Sequence, residues 1–248
     1  MKILVCISHV PDTTSKINFI EDNTKFDTNG VQFVINPNDE FGLTRAMWLK
    51  DQLQASVDVV TVGEKDCEPT MRKALAIGAD TGIRVNTPAI DGYQVAKEIA
   101  HVAKEGDYDL IIAGRESIDY NGGMVPGMLA KMLGYAFINK CVHMEVEDDR
   151  VKATREMDGG KEKLSAKLPL VIGGQKGLVE ESDLKIPNMR GIMMARKKPL
   201  NVVEPQDTHT KTQAKKFEKP APKGEVKMVD AENLDELIDL LHNEAKVI

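Results

Sequence analysis

Apolar positions alternate between two textures over the first 133 residues. KILVCIS (2–8), SVDVVTVG (56–63), GIRV (82–85) and YDLIIAG (108–114) are short, nearly unbroken apolar runs rich in β-branched residues. That is the pattern of strands covered on both faces. Between them the apolar residues recur three or four apart, as one face of a helix requires. Leu43, Ala46, Met47 and Leu53 share such a face in NPNDEFGLTRAMWLKDQL. Asn36 suits the N-cap there, Pro37 the first helical position, and Asp39 and Glu40 the positive end of the dipole. In EPTMRKALAIGAD, Met71, Ala74 and Leu75 face inward and Gly78 ends the helix. Val95, Ile99, Val102 and Ala103 stripe the next helix, and a fourth runs near Met124–Leu133. NFIEDNTKFDTNGVQFVIN predicts a hairpin turning at Thr28-Asn29-Gly30.

After Tyr135 the texture changes. CVHMEVEDD, RVKATREMDGG and KEKLSAKLPLVIGG read as β-structure, with turns at Asp148-Asp149 and Asp158-Gly159-Gly160. They predict an antiparallel extension of the sheet. VEESDLKIPNMRGIMMARKKPL has apolar residues without a strand period, and EPQDTHTKTQAKKFEKPAPKGEVK is a polar, Pro/Lys-rich linker or arm. The last segment predicts a helix capped by Asp230, with Leu234, Leu237, Ile238 and Leu241 as its stripe. So short a helix beyond a polar linker is not stable alone, and must dock on its own domain or on a partner. The expected fold is α/β: a mostly parallel, doubly wound sheet of the adenine-nucleotide-binding type, with an antiparallel β extension and a C-terminal arm. Residues 1–190 form the nucleotide-binding domain in this reading, and residues 191–248 the arm.

Composition narrows the function. The 248 residues are 42% apolar, enough for one large core, and the net charge of −6 argues against a dedicated nucleic-acid binder. No apolar run approaches membrane-spanning length, and the N-terminus lacks the features of a secretory signal. The three cysteines are widely spaced, which suits a reducing cytoplasm, and the five histidines form no metal-binding pattern.

The most informative stretch is GRESIDYNGGMVPG, Gly114 to Gly127, between an apolar strand and a helix. Gly123, Met124 and Val125 keep backbone N–H groups at the helix start, where an anion is favoured; Pro126 has none. The plainer alternative is a glycine-rich loop serving only a tight connection. The spacing is neither GxGxxG nor the Walker pattern. Asn36-Pro37-Asn38-Asp39 reads most simply as a helix cap, but it can share a sheet edge with that loop and leave room for a purine between them. Arg155 and Glu156 point to opposite faces of a strand. Met189, Met193 and Met194 beside Arg190 and Arg196 suit an adaptable interaction surface as well as a packed segment. No GxSxG or comparable arrangement gathers Ser117, Asp119 and a histidine, so no catalytic site is expected.

Seven segments, in order, resemble the beta subunit of electron transfer flavoprotein: MKILVCIS, NPNDEFGLTRA, RKALAIGAD, LIIAGRESIDYNGG, REMDGG, LPLVIGG and IPNMRGIMMARKKPL. They extend from Met1 to about Leu200. The resemblance implies an electron-carrier subunit paired with a larger alpha subunit that holds the redox FAD. Such a heterodimer takes electrons from dehydrogenases, acyl-CoA dehydrogenases among them, and passes them to a membrane quinone oxidoreductase or another acceptor. The beta subunit buries AMP; electron-bifurcating members place a second FAD there. By position the resemblance lines the nucleotide pocket with Cys6, Asn36, Pro37, Asn38, Asp39 and Val62. It adds the loop residues Gly114, Arg115, Glu116, Ser117, Ile118, Asp119, Tyr120, Asn121, Gly122, Gly123, Met124 and Val125. It sets Thr13 and Glu156 near the partner's flavin, and assigns docking of dehydrogenases to Ile186, Pro187, Asn188, Met189 and Arg190. The C-terminal arm embraces alpha. Two features depart from the family: Gly-Met-Val-Pro stands where glutamine, threonine or valine, and glycine are usual, and three extra residues precede the basic run. A universal-stress-type ATP or AMP sensor shares the core but ends soon after its glycine loop, whereas this chain continues for more than a hundred residues.

Overall fold

The computed structural model describes residues 1–222 and 224–248; Lys223, within the polar stretch read as a linker, lies outside the described residues. In chain order the strands and helices begin with β1 (Lys2–Cys6), β2 (His9–Pro11), β3 (Phe19–Ile20), β4 (Lys25–Phe26), β5 (Phe33–Ile35) and α1 (Pro37–Leu53). Next come β6 (Ser56–Val62), α2 (Glu68–Ile77), β7 (Thr81–Val85), α3 (Gly92–Gly106), β8 (Leu110–Gly114) and α4 (Val125–Leu133). The chain continues with β9 (Ala136–Glu147), β10 (Arg150–Met157), β11 (Gly160–Lys167), β12 (Leu170–Gly174), α5 (Met189–Ala195), β13 (Leu200–Val203) and α6 (Leu234–Asp239).

Nine strands form one sheet in the order β11-β10-β9-β12-β8-β1-β6-β7-β13. From β9 to β13 along that order every pairing is parallel; β10 is antiparallel to both β9 and β11. The expected α/β architecture is therefore present. Period-two alternation supplies both faces: Ile3 and Val5 of β1 join the α1 and α2 side of the core, Leu4 and Cys6 the α3 and α4 side. β1 has β6 on one side and β8 on the other, so the winding reverses between β1 and β8. At such a point the connections diverge and leave a crevice beyond the strands' carboxyl ends.

Several sequence expectations need correction. The hairpin reverses at Glu21, Asp22 and Asn23, all left-handed, between β3 and β4; Thr28 to Gly30 is a separate turn. Asn and Asp are among the non-glycine residues that most often take positive φ, and here Glu21 takes it beside them. Leu53 is 42% exposed, because α1 ends there and Gln54 turns left-handed. KEKLSAKLPLVIGG is not one antiparallel stretch. β11 ends at Lys167, and Pro169, which has no N–H to give a ladder, precedes β12. β12 lies parallel in the middle of the sheet, between β8 and β9. The segment without a strand period contains α5, whose N-cap Asn188 accepts the Gly191 N–H at 2.8 Å. The cap of α6 is Asn233, not Asp230, which instead accepts the Glu232 N–H in the preceding turn.

The polar segment after β13 is anchored to the body over much of its length. The buried Glu98 of α3 accepts the N–H groups of Gln206 and Asp207 at 3.0 and 2.8 Å. Asp91, the N-cap of α3, accepts those of Lys211 and Thr212 at 2.6 and 2.7 Å. Phe217 stacks on Phe19 and donates its N–H to Asn23. Beyond Lys219, α6 leaves Leu234, Leu237 and Ile238 exposed.

Candidate functional site: the crevice between β1 and β8

The carboxyl ends of β1 and β8 are tied by one side chain. Asp39, in the first turn of α1, is buried and accepts the Ser8 N–H at 2.7 Å with one oxygen and the Gly114 N–H at 2.8 Å with the other. Burial pushes its carboxyl up to about 7, against the pull of the Ser8, Asn36 and Gly114 contacts. A Cβ on Gly114 would run into the Asp39 carboxylate and lie 2.9 Å from Asn38 Cβ, so this position accepts only glycine. Asp39 thus closes the floor of the crevice, and its oxygens are already taken.

Asn36 stands at the N-cap position but makes no side-chain cap. Its amide reaches across to the loop after β8, donating to the Glu116 carbonyl at 2.9 Å and accepting the Ile118 N–H at 3.3 Å. Asn38 donates to the same carbonyl at 3.2 Å. The plain capping reading of Asn36 therefore fails, and the two sequence candidates do share one edge of the sheet. The loop closes on itself where Ser117 and Gly122 exchange backbone bonds of 3.2 Å, with Asp119, Tyr120 and Asn121 at an exposed tip and Asn121 left-handed. Ser117 donates its hydroxyl to Asp119.

Past Gly122 the backbone is free. Among the described residues, no acceptor on the chain takes the N–H groups of Gly123, Met124 or Val125. Gly123 and Met124 are exposed, and Pro126 fills the first turn of α4 without a donor. Three unpaired donors at the positive end of a helix, beside a topological switch point, form a set that fits a phosphate. Met124 also packs on Gly92 at the start of α3, its Cγ 2.6 Å from where a Cβ would stand. Cys6 and Val62 end β1 and β6 on the α3 side of the sheet. Burial, and secondarily the Asp39 charge, hold the Cys6 thiol far above its ordinary range.

The remaining candidates lie elsewhere. Thr13 is exposed in the β2–β3 connection. Glu156 is exposed on β10, yet its carboxylate accepts the side-chain amide of Gln175. Arg155 pairs with Glu162 across the β10–β11 ladder at 2.6 Å. Ile186 is 83% exposed, and Met189, Met193 and Met194 are exposed on α5. α5 lies tightly on α2, because Gly191 passes against the Ala76 carbonyl where a side chain would collide. Arg72 of α2 fixes the far end by donating to the Ala195 and Lys198 carbonyls at 2.7 and 2.8 Å. A groove of about 410 Å³ runs beneath this segment, bounded by Pro69, Lys73, Pro187 and Ile192. Sequence reasoning missed Gln175. Its one signal was a polar residue directly after LVIGG, where a buried parallel strand delivers its next side chain to the ligand edge.

Fold and crevice together define an α/β protein of the nucleotide-binding type. A family model described as "Electron transfer flavoprotein domain" matches residues 23–208. Among curated proteins, the "Electron transfer flavoprotein subunit beta" of Bacillus subtilis is 32% identical over 100% of both chains. Its namesake in Homo sapiens is 34% identical over 84% of this chain and 82% of its own. That of Dictyostelium discoideum is 34% identical over 96% and 97%. The chain belongs to the electron transfer flavoprotein beta-subunit family, and is a flavoprotein component of electron transport. Among the described residues no helix is long and apolar enough to cross a membrane.

Proposed function

We propose that this chain is the nucleotide-holding, partner-docking half of an alpha–beta electron carrier and has no catalytic site of its own. The observation that carries the reading is the set of three unpaired N–H groups at Gly123, Met124 and Val125 beside the β1–β8 switch point. They suit the phosphate of AMP. The base and ribose then lie between the loop Gly114–Gly122 and the carboxyl ends of β1 and β6. Asp39 acts here as a tie rather than a ligand, because both of its oxygens are engaged. AMP is preferred to a second FAD in this reading because one phosphate is enough to take up the three N–H groups, beside which Met124 packs on Gly92.

The redox FAD belongs to the alpha subunit in this reading and supplies the one- and two-electron chemistry when bound. This chain's residues orient and shield it. Glu156 offers a carboxylate to the flavin domain, and Thr13 stands near the flavin. Ile186 to Arg190 form the docking segment for dehydrogenases, acyl-CoA dehydrogenases among them, and a quinone oxidoreductase is the electron acceptor. The division into a nucleotide-binding body, residues 1–190, and an arm, residues 191–248, belongs to the same reading, with β13 as the part of the arm that pairs in the sheet. Co-expression with the companion flavin-binding chain tests it. A stable complex whose flavin is reduced by an acyl-CoA dehydrogenase and substrate is expected. A chain that stays monomeric beside that companion contradicts it.

A further inference from the structure

Arg115 opens the loop that follows β8. Its N–H donates to the Gly174 carbonyl at 2.7 Å, locking the loop to the end of β12. Its guanidinium donates to Glu116 Oε1 at 2.7 Å and to Gln175 Oε1 at 3.2 Å. Gln175, the residue after β12, is buried, and its own N–H is held by the Cys141 carbonyl of β9 at 3.2 Å. The other end of its amide donates to Glu156 Oε2 on β10. The amide is therefore poled: oxygen towards a cation, NH₂ towards a carboxylate. A glutamate there would repel Glu156, a lysine would repel Arg115, and a methionine would bond neither.

The chain of contacts reaches the phosphate donors. Gly123 lies against the Arg115 carbonyl, 3.3 Å from where its Cβ would stand. Asn36 and Asn38 clamp the next carbonyl, that of Glu116. A ligand held at Gly123 therefore bears on the backbone of Arg115.

We infer that Gln175 is a positioning residue that couples nucleotide occupancy of the loop to the setting of Glu156. The inference rests on the nucleotide reading of that loop. A held loop fixes Arg115, Arg115 fixes the amide oxygen of Gln175, and its NH₂ then holds the Glu156 carboxylate in one place. Such coupling is reciprocal, so changes at Glu156 must alter nucleotide affinity although Glu156 lies outside the crevice.

The test is AMP binding, by calorimetry, to the nucleotide-depleted alpha–beta complex. Gln175→Glu keeps a partner for Arg115 but sets two carboxylates together; it should weaken AMP by roughly fivefold or more. The swapped double variant, Gln175→Glu with Glu156→Gln, restores a donor facing an acceptor and should return affinity to within about twofold of the parent. A double variant no better than Gln175→Glu alone overturns the inference. Should Gln175→Glu not fold, hydrogen exchange on the parent complex decides. AMP should slow exchange of the Arg155–Met157 amides in the parent but not in Gln175→Met, and equal protection in both overturns the coupling. A parent complex that binds no AMP is a different result: it overturns the nucleotide reading itself, and the coupling with it.

Discussion

At the carboxyl ends of β1 and β8, polar side chains are engaged within the chain: Asp39 by Ser8 and Gly114, Asn36 and Asn38 by the loop backbone, Gln175 by Arg115 and Glu156. The donors left over are backbone N–H groups. From Ile186 onward the balance reverses. Ile186, Met189 and Met193 on one segment, and Leu234, Leu237 and Ile238 on another, are large apolar groups in water. A small anion can complete the first region, because it supplies acceptors to unpaired donors. Only apolar surface on another molecule, or another part of this one, can complete the second. One chain thus carries a polar anion receptor and an uncovered adhesive surface.

The largest expected effect breaks the comparison at its adhesive end. A chain ending at Lys219 keeps the anchors to Glu98, Asp91 and Phe19 but loses α6. The three exposed apolar side chains Leu234, Leu237 and Ile238, at about 1.5 kcal/mol each, represent on the order of 4–5 kcal/mol of burial, before the cost of ordering the segment. The truncated chain should fold with an unchanged melting temperature and bind the alpha subunit at least a hundredfold more weakly in a sedimentation or biolayer assay. Unchanged affinity would make the stripe irrelevant to assembly.

The next effect belongs to the receptor. Folded Asp39 holds its proton to about 7, whereas an unfolded aspartate ionises near 3.8. A folded value raised in this way adds stability that is complete below about pH 4 and is lost as pH rises through 7. At about 1.4 kcal/mol for each pH step, the span is a few kcal/mol. Asp39→Asn should flatten the slope of stability between pH 4 and 7 and lower stability at every pH, because its NH₂ then faces one of the two backbone N–H groups that Asp39 accepts. Urea midpoints for both proteins at pH 5 and pH 8 read this directly; parallel profiles would assign the slope to other groups.

The smallest effect sharpens the contrast, because it should leave the fold untouched. Ile186 is so exposed that its truncation has nothing to destabilise. A buried interface anchor of this size is worth about 2 kcal/mol, close to thirtyfold in affinity. Ile186→Ala should raise the dehydrogenase concentration needed for half-maximal flavin reduction by about that factor, with flavin content and melting temperature unchanged. A shift in melting temperature without a shift in that concentration would return Ile186 to the protein's own core.

The two regions were unequally legible in the sequence. The alternation of apolar runs and helical stripes was enough for the parallel sheet, because strands covered on both faces read as nearly continuous apolar runs. The loop Gly114–Val125 stood out by its glycines, and Gly114 is required where it was noticed. Local pattern could not reveal where β12 goes. LPLVIGG follows the β10–β11 hairpin in sequence but pairs with β9 and β8 instead of β11, and only its five consecutive buried residues mark it as central. α5 was missed because seven residues interrupted by a glycine carry too little periodicity. Asn36 looked like a cap because sequence shows the residue type and not its target, which lies 80 residues away. Gln175 escaped for the same reason: its partners, Arg115 and Glu156, are set by tertiary structure.

The central claim is that the free N–H groups of Gly123, Met124 and Val125 hold the phosphate of a small nucleotide. Acid release of all nucleotides from the purified alpha–beta complex, followed by chromatography against standards, tests it most directly. One FAD and one AMP per heterodimer is the predicted result. Two FAD, or a single FAD with no second nucleotide, would contradict it.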